Sequence, residues 1–332
     1  MSEAIDGKNV ADRVVVLGMG GTIAGRASSP DDLVSYTAGQ VAVADLLAGL
    51  PAGLGRDLEV EQVAQIDSRS MELAVWQRLC ERLAYHLARP QVRAVVVTHG
   101  TDTLEETAFV LQSLLRPGKP VVLTCAMRPA TALVPDGPQN ISDALVMARH
   151  PGAAGVMVVC AGQVHGAADV TKVHTYRLDA FSSGDAGALA AIENGRVFQW
   201  RPWPGEVVAD NVPDLRSCLP AFMAAGALPR VELVVSHACA DGRLVDALLN
   251  DTSAQEEHVL RGLVVAGTGN GSVHDRLDQA LMRARAAGVR VVRATRCPFG
   301  RVTPRSGDLL EESHGLSAVK ARLALSLDLI RG

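Results

Sequence analysis

Aromatic residues make up only 3% of this 332-residue chain, so any sizeable core must be built from Val, Leu, Ile and Ala, within a hydrophobic fraction of 48%. Charge of one sign is lacking too. The formal net charge is −4 with both signs mixed along the chain, which excludes the basic footprint of a nucleic-acid binder. No apolar run is long enough to span a bilayer, so no membrane partner is expected. The N-terminal MSEAIDGKNVADR is polar and does not read as a signal peptide, which points to the cytoplasm. The six cysteines (Cys80, Cys125, Cys160, Cys218, Cys239, Cys297) are widely spaced with no CxxC pair, a pattern of small buried thiols in a reducing compartment. Catalytic signatures are missing as well. Among the nine histidines there is no HExxH, and no GxSxG elbow or GK[ST] loop occurs. A GxGxxG begun at Gly18 and Gly20 would need its third glycine at Ile23. No metal and no cofactor are expected.

What is present is alternation. RVVVLG (13–18), LEVEQVAQI (58–66), AVVV (94–97), PVVLTC (120–125) and GVMVVC (155–160) read as buried strands. Between them, segments from Ser70 and Thr103 carry apolar residues at helical spacing. Thr103 with Glu106 forms a capping-box pattern, and PDGPQN offers Asp136 as a cap with Pro138 in the first turn of a further helix. Strand–helix alternation predicts α/β architecture with a parallel sheet covered on both faces. The period breaks in WRPWPGEVVADNVPD. A second set follows: VELVVSHA, a helix in DGRLVDALLN, RGLVVAGTG, a helix over about 272–287, VRVVRATR and a final helix in ARLALSLDLI. The expected organisation is an N-terminal catalytic domain over 11–205, a linker over 206–229 and a smaller α/β domain over 230–332.

Ligands of open parallel sheets bind beyond the carboxyl ends of the strands. Two polar turns fall there, GMGGTIAG (18–25) and THGTDT (98–103). Glycines let the backbone approach a bound group, and exposed amides there suit an anion or a developing oxyanion. Thr22 and Thr101 each follow a glycine. A threonine beside a helix commonly caps it, and so does an aspartate such as Asp102. A hydroxyl becomes a nucleophile only when a base takes its proton. Spacing alone leaves both readings open.

GGTIAG (20–25) and THGTDTLEET (98–107) closely resemble the two signature motifs of bacterial-type L-asparaginases. TCAMRPAT with PDGPQNISDAL (124–145), DVTK (169–172), AGTGNG (266–271) and VVRATRCPFG (291–300) resemble further segments of that family, in order over roughly 12–330. The resemblance implies a threonine amidohydrolase acting on the small molecule L-asparagine, with minor glutaminase activity. It implies Thr22 as nucleophile, Tyr36 from a loop over it, and Thr101, Asp102 and Lys172 as a second catalytic cluster. It assigns Ser68 and Asp102 to the α-carboxylate and α-amino groups of the substrate. Asn270 matches a residue lent by a neighbouring subunit, which implies a homotetramer built as a dimer of dimers.

Four departures stand out. Met19 replaces a threonine before the first motif's glycines. Arg69 stands where many members have glutamine, and is expected to pair with the substrate α-carboxylate; alternatively it turns outward to a surface acid, leaving Ser68 alone in that role. Gly307 and Asp308 fall where many have a donated glutamate, with Glu311 or Glu312 as substitutes. VHGAADVTK lacks the arginine often found before the aspartate. Two other functions remain: the asparaginase-like subunit of a tRNA-dependent amidotransferase, and a non-catalytic amino-acid binder. The intact Thr22, Thr101, Asp102 and Lys172 weigh against the binder.

Overall fold

The computed structural model describes residues 12–51, 53–205, 213–251 and 259–331. The polar N-terminal stretch up to Ala11, and the 206–212 part of the expected linker, lie outside the described residues. The chain divides into two compact units. One runs to Ser183 and resumes over Gly187–Val208; the other comprises Gly184–Ala186 and Ala209–Gly332.

The larger unit is built on an eight-stranded sheet. Its strands are β1 (Arg13–Gly20), β2 (Leu58–Ile66), β3 (Val92–Thr98), β4 (Pro120–Thr124), β5 (Gly155–Cys160), β6 (Gln163–Gly166), β7 (Ala190–Glu193) and β8 (Arg196–Gln199). Their spatial order is β8-β7-β6-β5-β4-β3-β1-β2. From β2 to β5 all neighbours are parallel. From β5 to β8 they are antiparallel. The sheet is therefore mixed where strand–helix alternation predicts a wholly parallel one. The cause is local for two of the three antiparallel pairs, because two-residue turns close the β5–β6 and β7–β8 hairpins, while residues 167–189 join β6 to β7. Ala161–Gly162 and Asn194–Gly195 all have positive φ, the conformation tight hairpin loops demand.

Even-numbered residues of the central strands (Val14, Val16, Ala94, Val96) face a core shared with Ile141, Ala144, Leu145 and Ala148. The last four belong to a helix over Gly137–Ala148. The intervening Val15, Leu17, Val95 and Val97 are equally buried, so the opposite face is covered as well. Helices α1 (Leu73–Ala88) and α2 (Leu104–Leu115) pack on the sheet and on each other, and the Gly137–Ala148 helix is α3. Edge strand β2 carries Glu59 and Glu61, which pair with Arg89 at 2.7 Å and Arg82 at 2.6 Å. Charges on an edge discourage pairing with another chain.

Two expected caps use their side chains otherwise. Thr103 precedes α2, but its hydroxyl donates to the Ser68 carbonyl at 2.8 Å instead of closing a capping box. Asp136 precedes α3, but its carboxylate accepts the Met127 and Arg128 amides at 2.9 Å. Both side chains are drawn to loops that a local pattern does not show.

The smaller unit holds a four-stranded sheet, β9 (Arg230–Val235), β10 (Leu260–Gly267), β11 (Arg290–Thr295) and β12 (Glu311–Glu312), parallel throughout. Helices α5 (Asp275–Ala286) and α6 (Ala318–Leu329) pack on it, and α4 (Arg243–Leu249) packs on α5. Residues 213–229, read from sequence within the linker, carry a helical turn at Arg216–Cys218 and a short helix at Leu219–Ala224, with Cys218 and Phe222 fully buried. Cys80, Cys125, Cys160 and Cys218 are buried and unpaired, while Cys239 and Cys297 are exposed.

Candidate active site

β1 and β3 lie side by side and parallel, with Gly18 opposite Thr98, so the turns that follow them emerge together. What lets them touch is the absence of side chains. A Cβ on Gly21 would sit 2.2 Å from Gly100 Cα, and one on Gly100 would sit 2.5 Å from Ser68 Oγ. Gly21 also has φ 79°, a conformation that L side chains rarely adopt. The two glycines thus bring the Thr22 turn, the Thr101 turn and Ser68 into one place. Ser68 arrives from the short helical turn Ser68–Ser70 that follows β2.

Thr22 opens a helical turn over Thr22–Ala24 and is nearly buried. Its Oγ1 lies 2.6 Å from the Tyr36 hydroxyl. Tyr36 sits in a two-stranded hairpin, Arg26–Ala27 with Tyr36–Thr37. The last glycine of GGTIAG accommodates this ring, since a Cβ on Gly25 would come within 2.9 Å of Tyr36 Cδ2. The strap beyond the tyrosine is tied back by Gly39 N–H to Gly21 O and by Gln40 and Val41 N–H to Ala24 O.

The second turn carries Thr101, buried, and Asp102, whose side chain is 51% exposed. Lys172 Nζ donates to Thr101 Oγ1 at 2.8 Å and to Asp102 Oδ1 at 2.7 Å. Lys172 stands on a second small hairpin, Thr171–Lys172 with Phe181–Ser182. Its own N–H donates to Glu105 Oε2 at 3.3 Å, which ties the hairpin to the first turn of α2. Ser68 Oγ accepts the Asp102 amide at 3.2 Å and is buried, leaving its proton for another acceptor. The result is two hydroxyls, an amine and a carboxylate beyond adjacent strand ends. That set can attack a carbonyl, move protons and receive an ammonium group.

Thr22, Tyr36, Ser68, Thr101, Asp102 and Lys172 thus belong to one constellation. Arg69 does not join it. It takes the outward alternative, its Nε 3.0 Å from Asp67 Oδ2 and its side chain 77% exposed. The physical reason is the helical turn itself, in which Asp67 also accepts the Arg69 amide at 3.2 Å and holds the residue beside its neighbour. Asn270 lies in the smaller unit, where its amide is bound at both ends by Thr303, donating to O at 3.0 Å and accepting from N at 2.7 Å. Asp308 pairs with Arg293 at 2.5 Å, which helps hold its carboxyl down at about 2. Glu311 and Glu312 are engaged by Arg290 and His314. Met19 is buried, a packing residue. Asp169, lacking an arginine before it in sequence, pairs with Arg201 at 3.2 Å.

Two residues of this neighbourhood were not singled out from sequence. Glu105 looks like ordinary acidic decoration of a helix start. His99 is wholly buried beneath the second turn, where desolvation pulls its pKa from 6.5 to about 4. Its place inside THGTDT was visible, but its partners were not.

Comparison with known proteins follows the same division of the chain. The family model described as "Asparaginase, N-terminal" matches residues 13–204, and "Glutaminase/Asparaginase C-terminal domain" matches 230–332. The protein named L-asparaginase 2 of Bacillus subtilis is 33% identical over 95% of this chain and 82% of its own length. A glutaminase-asparaginase of Pseudomonas fluorescens is 30% identical over 97% and 90%. Among solved structures, a probable cytoplasmic L-asparaginase from Campylobacter jejuni superposes with a TM-score of 0.84 at 35% identity, covering 96% of this chain and 95% of that one.

Proposed function

The chain belongs to the asparaginase/glutaminase family, and we propose that it hydrolyses the side-chain amide of L-asparagine to L-aspartate and ammonia, with Thr22 as nucleophile. The observation that carries the reading is Lys172 Nζ within hydrogen-bond reach of both Thr101 Oγ1 and Asp102 Oδ1, on a turn packed against the Thr22 turn.

In this reading Thr22 Oγ1 attacks the side-chain carbonyl carbon. Its proton passes through the Tyr36 hydroxyl, 2.6 Å away, to the leaving nitrogen, which departs as ammonia when the carbon–nitrogen bond breaks. A β-aspartyl ester remains on Thr22. Water then cleaves the ester and restores the threonine, with Thr101 and Lys172 serving as the hydroxyl and amine that orient that water. The zwitterionic part of the substrate meets Asp102 with its ammonium and Ser68 Oγ with its carboxylate. Backbone amides of the glycine turns supply donors for the developing oxyanion.

A homotetramer built as a dimer of dimers is part of the proposal, with Asn270 completing a neighbour's site. Dilution to monomer is then expected to abolish activity, and a fully active monomer in light scattering would remove the shared site. The cytoplasm is the proposed location, supported by four buried, unpaired cysteines. The central test is ammonia release by the purified chain alone, with asparagine and with glutamine. Faster release from asparagine, lost in Thr22→Ala, is expected. Release that depends on an added partner protein, or none at all, would replace this reading with an amidotransferase subunit or a binder.

A further inference from the structure

A chain of four groups runs beneath the second turn, and nothing in the proposed chemistry uses it. Trp76 Nε1, from α1, lies 2.9 Å from Thr107 Oγ1, on α2. Thr107 Oγ1 lies 3.0 Å from His99 Nε2, and His99 Nδ1 lies 2.7 Å from the Gly100 carbonyl oxygen. Trp76, Thr107 and His99 are all buried. The direction of every bond follows from what each group can do. An indole N–H only donates and a carbonyl only accepts. So Nδ1 carries the imidazole proton to Gly100 O, Nε2 accepts from the Thr107 hydroxyl, and that hydroxyl accepts from Trp76. Burial keeps the ring neutral, as this pattern requires.

We propose that His99 is a positioning residue for the Thr101–Asp102 pair: its Nδ1–H grips the Gly100 carbonyl, and Thr107 with Trp76 fixes the tautomer that makes this grip possible. The main-chain bond from His99 N–H to Thr124 O, at 2.8 Å, ends the ladder to β4, so the peptide that follows has no strand partner of its own there. Gly100 cannot hold itself by a side chain, because Ser68 and Gly21 occupy that space. The imidazole supplies the hold from below. It thereby sets where Thr101 Oγ1 and Asp102 Oδ1 meet Lys172 Nζ. His99 touches no reacting atom in this scheme and acts only through Gly100.

The inference rests on the amidohydrolase reading for its kinetic part alone. The first measurement is a long-range proton–nitrogen correlation spectrum of the wild-type protein labelled at histidine nitrogen, with the His99 signals assigned by their loss in His99→Asn. A neutral ring protonated at Nδ1 is expected, and an Nε2-protonated ring overturns the proposal whatever the enzyme hydrolyses. The second compares kcat and KM of His99→Phe and His99→Asn. Phenylalanine fills the ring space without any N–H, and is expected to lower kcat about 10- to 100-fold with KM within about threefold, since small misplacements of reacting groups cost that much. Asparagine can present an N–H near the former Nδ1 position and should recover most of kcat. Equal losses in both variants, or a folded His99→Phe enzyme with wild-type kcat, overturn the proposal. Should His99→Phe fail to fold, Thr107→Val decides: a fall in kcat of about three- to tenfold supports the chain, and unchanged kcat sinks it. Absence of ammonia release by the wild type would instead strike the amidohydrolase reading and leave the tautomer result standing.

Discussion

The two glycine–threonine turns look alike in sequence and are held in different ways. Thr22 Oγ1 is met by the phenol of a two-residue-per-strand hairpin, and the segment around it is tied by main-chain bonds of a loop strap. Thr101 stands on a turn gripped from three sides, by Lys172, by Ser68 through the Asp102 amide, and by the buried His99 chain. The function proposed above asks Thr22 to form and break a covalent bond beside one phenol partner, and asks the second turn to hold water and an ammonium group in fixed geometry. The first turn offers one hydroxyl met by one phenol, and the second a frame held at several points.

Removing the reactive groups while leaving the frames intact has the largest expected effect. Thr22→Ala, Thr101→Ala and Lys172→Met are each expected to lower kcat/KM by roughly three orders of magnitude or more, with melting temperature little changed, because these groups are worth several kcal/mol in the transition state and little in the core. Near-normal turnover in any one would strip that residue of its role. Next come the frames. Gly21→Ala adds both a backbone clash and a strained φ, and should destabilise by about 3 kcal/mol or more. Gly100→Ala pushes mainly on the Ser68 side chain and should cost about 1–3 kcal/mol. Urea unfolding that ranks them the other way would show the first turn to be the less constrained by its neighbour.

Acid offers a finer probe of the second frame. The pKa of His99 is about 4 in the fold against 6.5 for an ordinary histidine. The unfolded chain therefore takes up the proton first, and the stability this group contributes is complete above pH 6.5 and falls as the pH drops toward 4. The loss amounts to about 3 kcal/mol across that window. Urea midpoints at pH 7.5 and 4.5 should fall further for the wild type than for His99→Asn, and parallel falls would contradict the shift. The smallest effect is expected at Arg69. Exposed and paired with Asp67, it should allow Arg69→Gln to keep KM within about twofold, as a surface ion pair is worth 1 kcal/mol at most in the usual case. A tenfold rise in KM would return it to the substrate.

Much of the scaffold could be read directly. Four apolar runs became β1, β3, β4 and β5 because a strand buried on both faces must be apolar along its length, whereas Leu58–Ile66, read as buried, is an edge strand in which only Val63 is buried; its ends and those of Gly155–Cys160 still match. The antiparallel edge was also signalled, by Asn194–Gly195, a favoured pair for a tight hairpin, yet the surrounding alternation drew attention to parallel pairing. Strand order was not legible, since nothing local tells β1 to sit between β2 and β3. At the site, residue type and spacing left the roles of Thr22, Thr101 and Asp102 open, and the resemblance to asparaginase motifs, DVTK included, led to them and to Lys172. Motifs said nothing of which way Arg69 turns, because an adjacent Asp67 competes with any ligand for it. They were silent on Thr107 and Trp76 as well, whose pairing joins residues 31 apart. Hydrogen bonds between helices are written in three dimensions only.

The distribution of cysteines gives the experimenter a handle. Both exposed thiols, Cys239 and Cys297, belong to the smaller unit, while Cys80, Cys125 and Cys160 are buried in the larger one, and burial pushes Cys80 up to about 12. A maleimide dye added to the native protein should therefore mark the smaller unit alone. Thiols of the larger unit become reactive only as that unit opens. Labelling followed over time, with buried Cys218 of the smaller unit told apart from Cys80, Cys125 and Cys160 by peptide mass, thus doubles as a clock for unfolding of the half that carries Thr22 and Lys172, with no engineered reporter.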